Sequence, residues 1–345
     1  MSELVDHLAE LTGHRDRDVL DVTLVSALRD MLGTRSVSIY RSVGEPGQER
    51  WLTRARLMGT EAAAQADSAW SEPEQLPKLA DHPARLTALR GDQVIEVPGA
   101  THLTLFPVAT DREVVGVLEI ETDTVLDAQQ QRMVTSVLRI FRNFQGLLDY
   151  SERDSLTGLL NRKTFDESFL KASAEPAQPA TVARDAVEGR RAVADTGSYW
   201  LGVIDIDHFK HVNDNYGHLI GDEVLLLLSR LMRGSLRSRD RLYRFGGEEF
   251  VALVRCKGAE SAALAFERLR GNTERYAFPQ VERITVSVGF TEVKPGDTPG
   301  GAFERADKAV YYAKEHGRNQ LQYHEALVAR GELDDASKIS DIELF

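Results

Sequence analysis

Two acidic clusters in this chain have the residue types and the spacing for metal-phosphate chemistry. The first is Asp205-Ile206-Asp207-His208-Phe209-Lys210, and the second is Gly246-Gly247-Glu248-Glu249-Phe250. Residues 242–254 place apolar, β-prone residues on both sides of Gly246-Gly247, the pattern of a hairpin whose tight turn needs positive φ. Glu248 and Glu249 therefore stand on a rigid corner. Residues 199–206 form a largely apolar run of strand length, with Asp205 and Asp207 near its end, where open α/β sheets gather their ligands. If the hairpin pairs beside that strand, Asp205 and Glu248 converge on Mg2+, a hard cation that takes oxygen ligands and keeps substrate phosphates in its shell. Taken alone, the second cluster is equally compatible with an ordinary acidic hairpin tip.

The segments that position these residues carry further motifs. Asn213-Asp214-Asn215-Tyr216-Gly217-His218-Leu219-Ile220-Gly221-Asp222 leads into an amphipathic helix expected over 223–236. Asp154-Ser155-Leu156-Thr157-Gly158-Leu159-Leu160-Asn161-Arg162 precedes the first cluster. Ser287-Val288-Gly289, Ala306-Asp307 and Ala313-Lys314-Glu315-His316-Gly317-Arg318-Asn319 follow the second. In this order the motifs resemble those of GGDEF domains, the diguanylate cyclases that condense two GTP molecules into cyclic di-GMP. The resemblance runs from residue 154 to residue 323, roughly half of the chain. It implies an α/β (α+β) cyclase domain over 154–325, built on a central, mainly antiparallel sheet.

By this resemblance Asp205 and Glu248, Glu249 and the backbone carbonyl of Ile206 are the Mg2+ or Mn2+ ligands, with two ions in each half-site and no organic cofactor. Glu248 is also the family's candidate proton acceptor for the attacking 3′-hydroxyl, although a metal-bound carboxylate is a weak base. Lys210, Lys314 and Arg318 correspond to triphosphate ligands, since a charged pyrophosphate leaving group calls for cations. Gly246 and Gly247 form the turn at the substrate. Asn213, His218 and Asp222 match positions that contact the nucleoside; His218 also reads as a helix-entry residue. A carboxylate at Asp222 can accept from both the N1 and N2 edge of guanine, whereas adenine has no donor at N1, so the expected substrate is GTP. Arg237-Ser238-Arg239-Asp240 occupies the place of the family's product-binding Arg-x-x-Asp motif. A guanidinium there grips phosphate or the guanine edge bidentately. Arg268, on a helix expected over 259–270, resembles a secondary contact to the same product.

Length and composition agree. A chain of 345 residues with 42% hydrophobic content supports two domains with real cores. A formal net charge of −12 argues against a nucleic-acid surface, which needs a basic footprint. The single cysteine, Cys256, excludes an internal disulfide framework and fits a reducing cytosol. Residues 1–11 lack an apolar signal-peptide core, and the longest strongly apolar run, 224–228, is too short to span a bilayer. The expectation is a cytoplasmic protein without membrane insertion.

Residues 1–125 are a different unit. Helical spacing over 16–32 is followed by strands expected at 36–40, 51–58, 93–97, 101–109 and 114–122. A helix, a meander of strands and a helical exit resemble a GAF-type sensor domain, with a PAS-like domain as the alternative. No residue identifies its ligand: His82 and His102 lack metal-ligand spacing, and the absence of cysteine excludes a thioether-linked bilin. Its ligand is an unspecified small molecule or none. Residues 126–153 read as one connecting helix in which Met133, Val137, Ile140, Phe144, Leu147 and Ser151 form the a/d seam of a short coiled coil, and hence a parallel homodimer. Val134, Leu138, Phe141 and Leu148 form a second apolar stripe that suits packing on the helix's own domain.

Each GGDEF site is half of an active site, so the chemistry also asks for a dimer. Residues 171–198 are rich in Ala, Pro and polar groups and form an insertion expected to be a loop. Residues 326–345 are an acidic tail. The alternative function is a catalytically inactive cyclic di-GMP receptor. Degenerate receptors usually lose the residues matching Asp205, Glu248, Lys210 or the glycines, and all are present here. No EAL-type phosphodiesterase segment occurs in the sequence.

Overall fold

In this computed structural model the residues described are 9, 12–13, 16–44, 47–67, 71, 73–111, 113–174, 197–237 and 240–334. Most of the 171–198 insertion, positions 238 and 239 of the Arg-x-x-Asp motif and the end of the tail beyond 334 lie outside them. The chain divides into two compact units, Met1–Ser151 and Glu152–Phe345. No described helix is long and apolar enough to cross a membrane.

In the first unit α1 (Arg17–Leu32) starts where the Asp16 carboxylate accepts from the Asp18 amide, and it ends at Gly33 with φ 60°. Both are standard helix punctuation, a side-chain cap at one end and a left-handed glycine at the other. Strands β1 (Ser36–Val43) and β2 (Arg50–Met58) follow. Then come α2 (Pro83–Gly91), β3 (Ile95–Val97), β4 (His102–Ala109), β5 (Val114–Thr122) and α3 (Ala128–Glu152). The five strands form an antiparallel sheet in the order β2-β1-β5-β4-β3.

Period-two alternation sends Phe106, Val108, Leu118 and Ile120 to one face, where Leu20, Leu24 and Leu28 of α1 and Val134, Val137, Phe141 and Leu148 of α3 cover them. Leu105 and Val117 point to the other face, into a smaller core with Tyr40, Trp51, Leu79 and Ala88. The second apolar stripe of α3 is thus the one buried in its own unit, together with Val137 from the first. Leu147 and Tyr150 face outward, 66% and 85% exposed. His82 stands at the cap position of α2 rather than in a ligand cluster.

The second unit runs β6 (Leu160–Asn161), α4 (Arg162–Ala174), β7 (Ser198–Ile206), α5 (Phe209–Tyr216), α6 (His218–Ser235), β8 (Arg241–Gly246) and β9 (Glu249–Cys256). It continues through α7 (Ala259–Arg275), β10 (Val286–Glu292), α8 (Pro299–Glu315), β11 (Leu321–Tyr323) and α9 (His324–Ala329). The sheet order is β11-β10-β7-β9-β8-β6. The three inner pairings are antiparallel and only the two edge pairings are parallel.

Val224, Leu228 and Met232 of α6 and Phe266 and Leu269 of α7 join Ile204, Phe250 and Val288 in the main core. An aromatic group formed by Phe165 of α4, Tyr243 and Phe245 of β8 and Phe303 of α8 adds a second set of contacts. Helix α8 comes close to the sheet because Gly289 has no side chain: a Cβ there would lie 2.2 Å from the Ala306 carbonyl oxygen and 2.4 Å from the Val310 amide nitrogen.

Two helices are longer than their sequence patterns predict. Helix α6 starts at His218, five positions ahead of the expected 223, although Gly217 and Gly221 bracket its first turn and glycine is a poor helix former. Helix α7 continues to Arg275, sustained by Arg270 pairing with Glu267 and Glu274 at i−3 and i+4.

His324 opens α9 at 2% exposure with neither ring nitrogen hydrogen-bonded, and burial pushes its imidazole below the ordinary value. The unfolded chain therefore binds a proton that the folded chain resists, and stability falls as pH drops below about 6.5. His324→Leu is expected to lose less stability than the parent between pH 7 and pH 5, as measured by urea unfolding; parallel pH profiles would contradict the assignment.

Candidate active site

The site is assembled at the carboxyl end of β7, a central strand flanked by β10 and β9. In the ladder Asp205 lies opposite Glu249 of β9 and opposite Ser287 of β10. Residues directly opposite in an antiparallel pair share a face, so Glu249 is carried to the side of the sheet that bears Asp205. Glu248 occupies the turn just before it. That turn depends on its glycines, since Gly246 has φ 147° and Gly247 φ 51°.

The turn is also braced from outside. Arg244 donates through Nε and Nη2 to the Gly247 carbonyl at 3.1 and 2.9 Å, while its Nη1 meets Asp154 Oδ1 at 3.0 Å. Asp154 accepts from the Thr157 amide and hydroxyl as well. Although burial pushes it up, these bonds and Arg244 hold its carboxyl below the usual range. In the sequence Asp154 belongs to an upstream motif and Arg244 falls within the expected 242–254 hairpin, and neither pattern assigns it a role. An arginine and a distant aspartate in two separate motifs were the available clue.

Asp205 itself is 6% exposed. Its Oδ1 is buried and makes no well-aligned hydrogen bond, although Lys314 Nζ of α8 stands 2.8 Å away. Burial drives its carboxyl up to about 6. Lys314 opposes this rise, and the charges of Glu248 and Glu249 add to it. A carboxylate so destabilised, with further carboxylates close enough to repel it, is short of positive charge.

Among the described residues no three His, Cys, Asp or Glu side chains close on a single ion position. Mg2+ does not require such a cage, because it is commonly held by one or two carboxylates and completed by substrate phosphates. The buried, poorly satisfied oxygen of Asp205 and the acidic turn beside it fit that mode of binding.

Asp207, two residues on, is different. It is 5% exposed and its carboxylate is fully engaged by Thr285, Ser287 and the Asn319 amide. After it, His208 adopts φ 58° and swings the chain into α5. Lys210 is exposed on the first turn of that helix and Asn213 is half-buried on its second.

Asn213 lies against Gly221 of α6, where a Cβ would come 2.0 Å from Asn213 Oδ1. Any side chain at 221 would displace the asparagine, a constraint that no sequence pattern announces. His218 and Asp222, one helical turn apart, are both exposed on the first turns of α6. Lys314 closes α8, and Arg318 follows it in a turn with φ 61°.

The Arg-x-x-Asp segment lies at the end of α6. The Asp240 carboxylate accepts from the Arg237 amide at 2.8 Å, and the Asp240 amide donates to the Arg237 carbonyl at 3.0 Å. Arg268 of α7 donates to the Ser235 carbonyl at 2.7 Å, so this second arginine is pinned two residues before Arg237 in the chain.

Residues 186–320 match the family model described as diguanylate cyclase, GGDEF domain. Among curated proteins, the diguanylate cyclase DgcP of Pseudomonas aeruginosa is 38% identical over 172 residues, which cover 49% of this chain and 23% of that protein. The diguanylate cyclase DgcM of Escherichia coli is 35% identical over 171 residues, covering 50% of this chain and 38% of that one. The chain therefore spans well under half the length of these two relatives. Among solved structures, the coiled coil and GGDEF domain of DgcB from Caulobacter crescentus in complex with c-di-GMP aligns with a TM-score of 0.46 at 29% identity, over 57% of this chain and 97% of that one. The matched part of the second unit, residues 186–320, is similar to a GGDEF domain.

A cation that binds Asp205 needs it ionised, so protons and metal compete for it near its raised value of about 6. Mn2+ affinity, followed by electron paramagnetic resonance, is expected to weaken as pH falls from 7 through 6 to 5. An affinity that stays flat over that range would show that Asp205 is not a ligand.

Proposed function

We propose that this protein is a Mg2+-dependent diguanylate cyclase that condenses two GTP into cyclic di-GMP and two pyrophosphates. The observation that carries the reading is the buried, positively starved carboxylate of Asp205 set in register with the Gly246–Glu249 turn. Asp205, the Ile206 carbonyl, Glu248 and Glu249 would hold Mg2+ or Mn2+. When bound, the metal supplies charge stabilisation for the phosphoryl oxygens.

The chain's own groups do the rest. Lys210, Lys314 and Arg318 bring cations to the triphosphate, as an oxygen-rich leaving group demands. Asn213 and Asp222 hold the guanine edge, and Asp222 would be left with an unpaired acceptor if adenine took its place. Residues Arg237, Asp240 and Arg268 form an inhibitory site for the product. The pinning of Arg268 beside the Arg-x-x-Asp turn supports this, because two guanidiniums are then available to one phosphodiester ring.

The first unit is read as a GAF-like sensor over 1–125, joined to the cyclase by the 126–153 helix. That helix is also the proposed dimer contact. Its outward Leu147 and Tyr150 are large apolar groups with no cover in their own unit. Two half-sites brought face to face would place each 3′-hydroxyl near the other α-phosphorus, and that juxtaposition would supply much of the rate.

Purified protein incubated with GTP and Mg2+ is expected to form cyclic di-GMP, seen by chromatography, and to slow as product accumulates. Glu248→Gln is expected to reduce turnover by roughly a hundredfold or more, in the range known for losing a positioned charge-stabilising group. Product binding without turnover in a folded dimer would instead support a receptor. Leu147→Asp, at an exposed position that leaves the fold intact, is expected to shift the protein toward monomer in sedimentation and to lower turnover in parallel. A monomer with undiminished turnover would rule out the dimeric mechanism.

A further inference from the structure

Asp205 near the end of β7 and Asp207 just beyond that strand both stand near the carboxyl end of α8, and they have opposite surroundings. Asp205 has one ammonium near it, whereas Asp207 is saturated. Oδ2 of Asp207 accepts from the Thr285 hydroxyl at 2.7 Å and from the Asn319 backbone amide at 2.9 Å, and Oδ1 accepts from the Ser287 hydroxyl at 2.7 Å. Its own amide donates to the Thr285 carbonyl at 2.9 Å. A carboxylate with so many donors is not in need of a metal. Its role has to be sought in what it grips.

It grips a turn under strain. Gly317, Arg318 and Asn319 all have positive φ, at 110°, 61° and 46°. Glycine accepts that region freely and asparagine tolerates it, but arginine does not, so the conformation persists only where its surroundings impose it. The Asn319 side chain supplies the second hold. Its Oδ1 accepts from Arg270 Nη1 at 2.6 Å, and its Nδ2 donates to Glu274 Oε1 at 2.9 Å. Glu274, kept near 2 by Arg270, Asn319 and Arg283, stays ionised throughout the working pH range. Between these two holds sits Arg318, exposed, its guanidinium forming no ion pair among the described residues.

We infer that Asp207 is a positioning residue: by fixing the Asn319 amide it holds Arg318 in the strained turn that presents its guanidinium to the triphosphate. This rests on the cyclase reading, which makes GTP the substrate. It adds a residue that acts through Arg318 rather than on the reacting atoms. The strain is useful because a backbone fixed in advance sets the direction in which the Arg318 side chain leaves the turn and so narrows its search when the phosphate arrives.

The test is a double-mutant cycle on the full-length protein with Asp207→Asn, Arg318→Ala and the pair, read as GTP KM, kcat and Mn2+ affinity. Asp207→Asn is expected to raise KM by roughly tenfold, the size of effect that follows the loss of one charged hydrogen bond, with a smaller change in kcat and unchanged Mn2+ affinity. The double variant should be no worse than Arg318→Ala, because both act through one guanidinium. Additive losses, an unchanged KM or a loss of Mn2+ affinity would each overturn the inference. If Asp207→Asn does not fold, Thr285→Val removes one donor and leaves the aspartate in place; it should give a smaller KM rise that Arg318→Ala again masks, and its failure to do so would count equally against the role. Absence of GTP binding by the parent protein would overturn the cyclase reading and this inference with it, whereas GTP binding that ignores Asp207 would overturn only the latter.

Discussion

A carboxylate buried at the end of a central strand must find positive charge, and the second unit is organised around that requirement at Asp205. Burial, with a smaller push from the Glu248 and Glu249 charges, raises its pKa to about 6, and among the described residues the Lys314 ammonium opposes that rise. The cost of leaving such a group ionised and unmatched is large in a low-dielectric setting, which is why its surroundings read as incomplete. A divalent cation together with a triphosphate would complete them.

Several apparently separate features serve this placement. Gly289 lets α8 close on β10, and that approach brings Lys314 to Asp205. The antiparallel register of β7 with β9 sets Glu249 opposite Asp205. Arg244 and Asp154 keep the glycine turn from relaxing, since a turn with two positive-φ residues has few contacts of its own. Gly221 leaves room for Asn213 between two helices. Each is a backbone or packing condition that decides where a polar group stands.

The first unit meets a different demand. Its sheet buries both faces, the larger one beneath α1 and α3. Helix α3 is committed to that core along one stripe, and a buried Gln145 on the same helix accepts from Arg41 of β1 at 2.9 Å. Rearrangement of that core would therefore be felt by the helix, because a packed interior shifts between discrete arrangements and does not deform smoothly. The outward residues of α3, Leu147 and Tyr150, stay exposed.

Local chemistry made much of this protein readable from its sequence. Alternating apolar residues announced the strands around 36–58 and 101–122, and paired glycines announced the β8–β9 turn. The ordered motifs carried the resemblance to GGDEF domains, and their acidic and basic residue types suit phosphates and a hard cation. The first turn of α6 was hidden by the glycines at 217 and 221, and the last turns of α7 by their lack of apolar spacing. Contacts between residues far apart in the chain were decided only by the tertiary structure. Asp207 reads in sequence as a twin of Asp205. Only the folded chain shows that its carboxylate is satisfied by β10 and by the turn after α8, while its neighbour two positions earlier is left short of charge. The sequence specifies which groups are present, but burial and long-range pairing decide which of them stay unsatisfied and so remain able to bind.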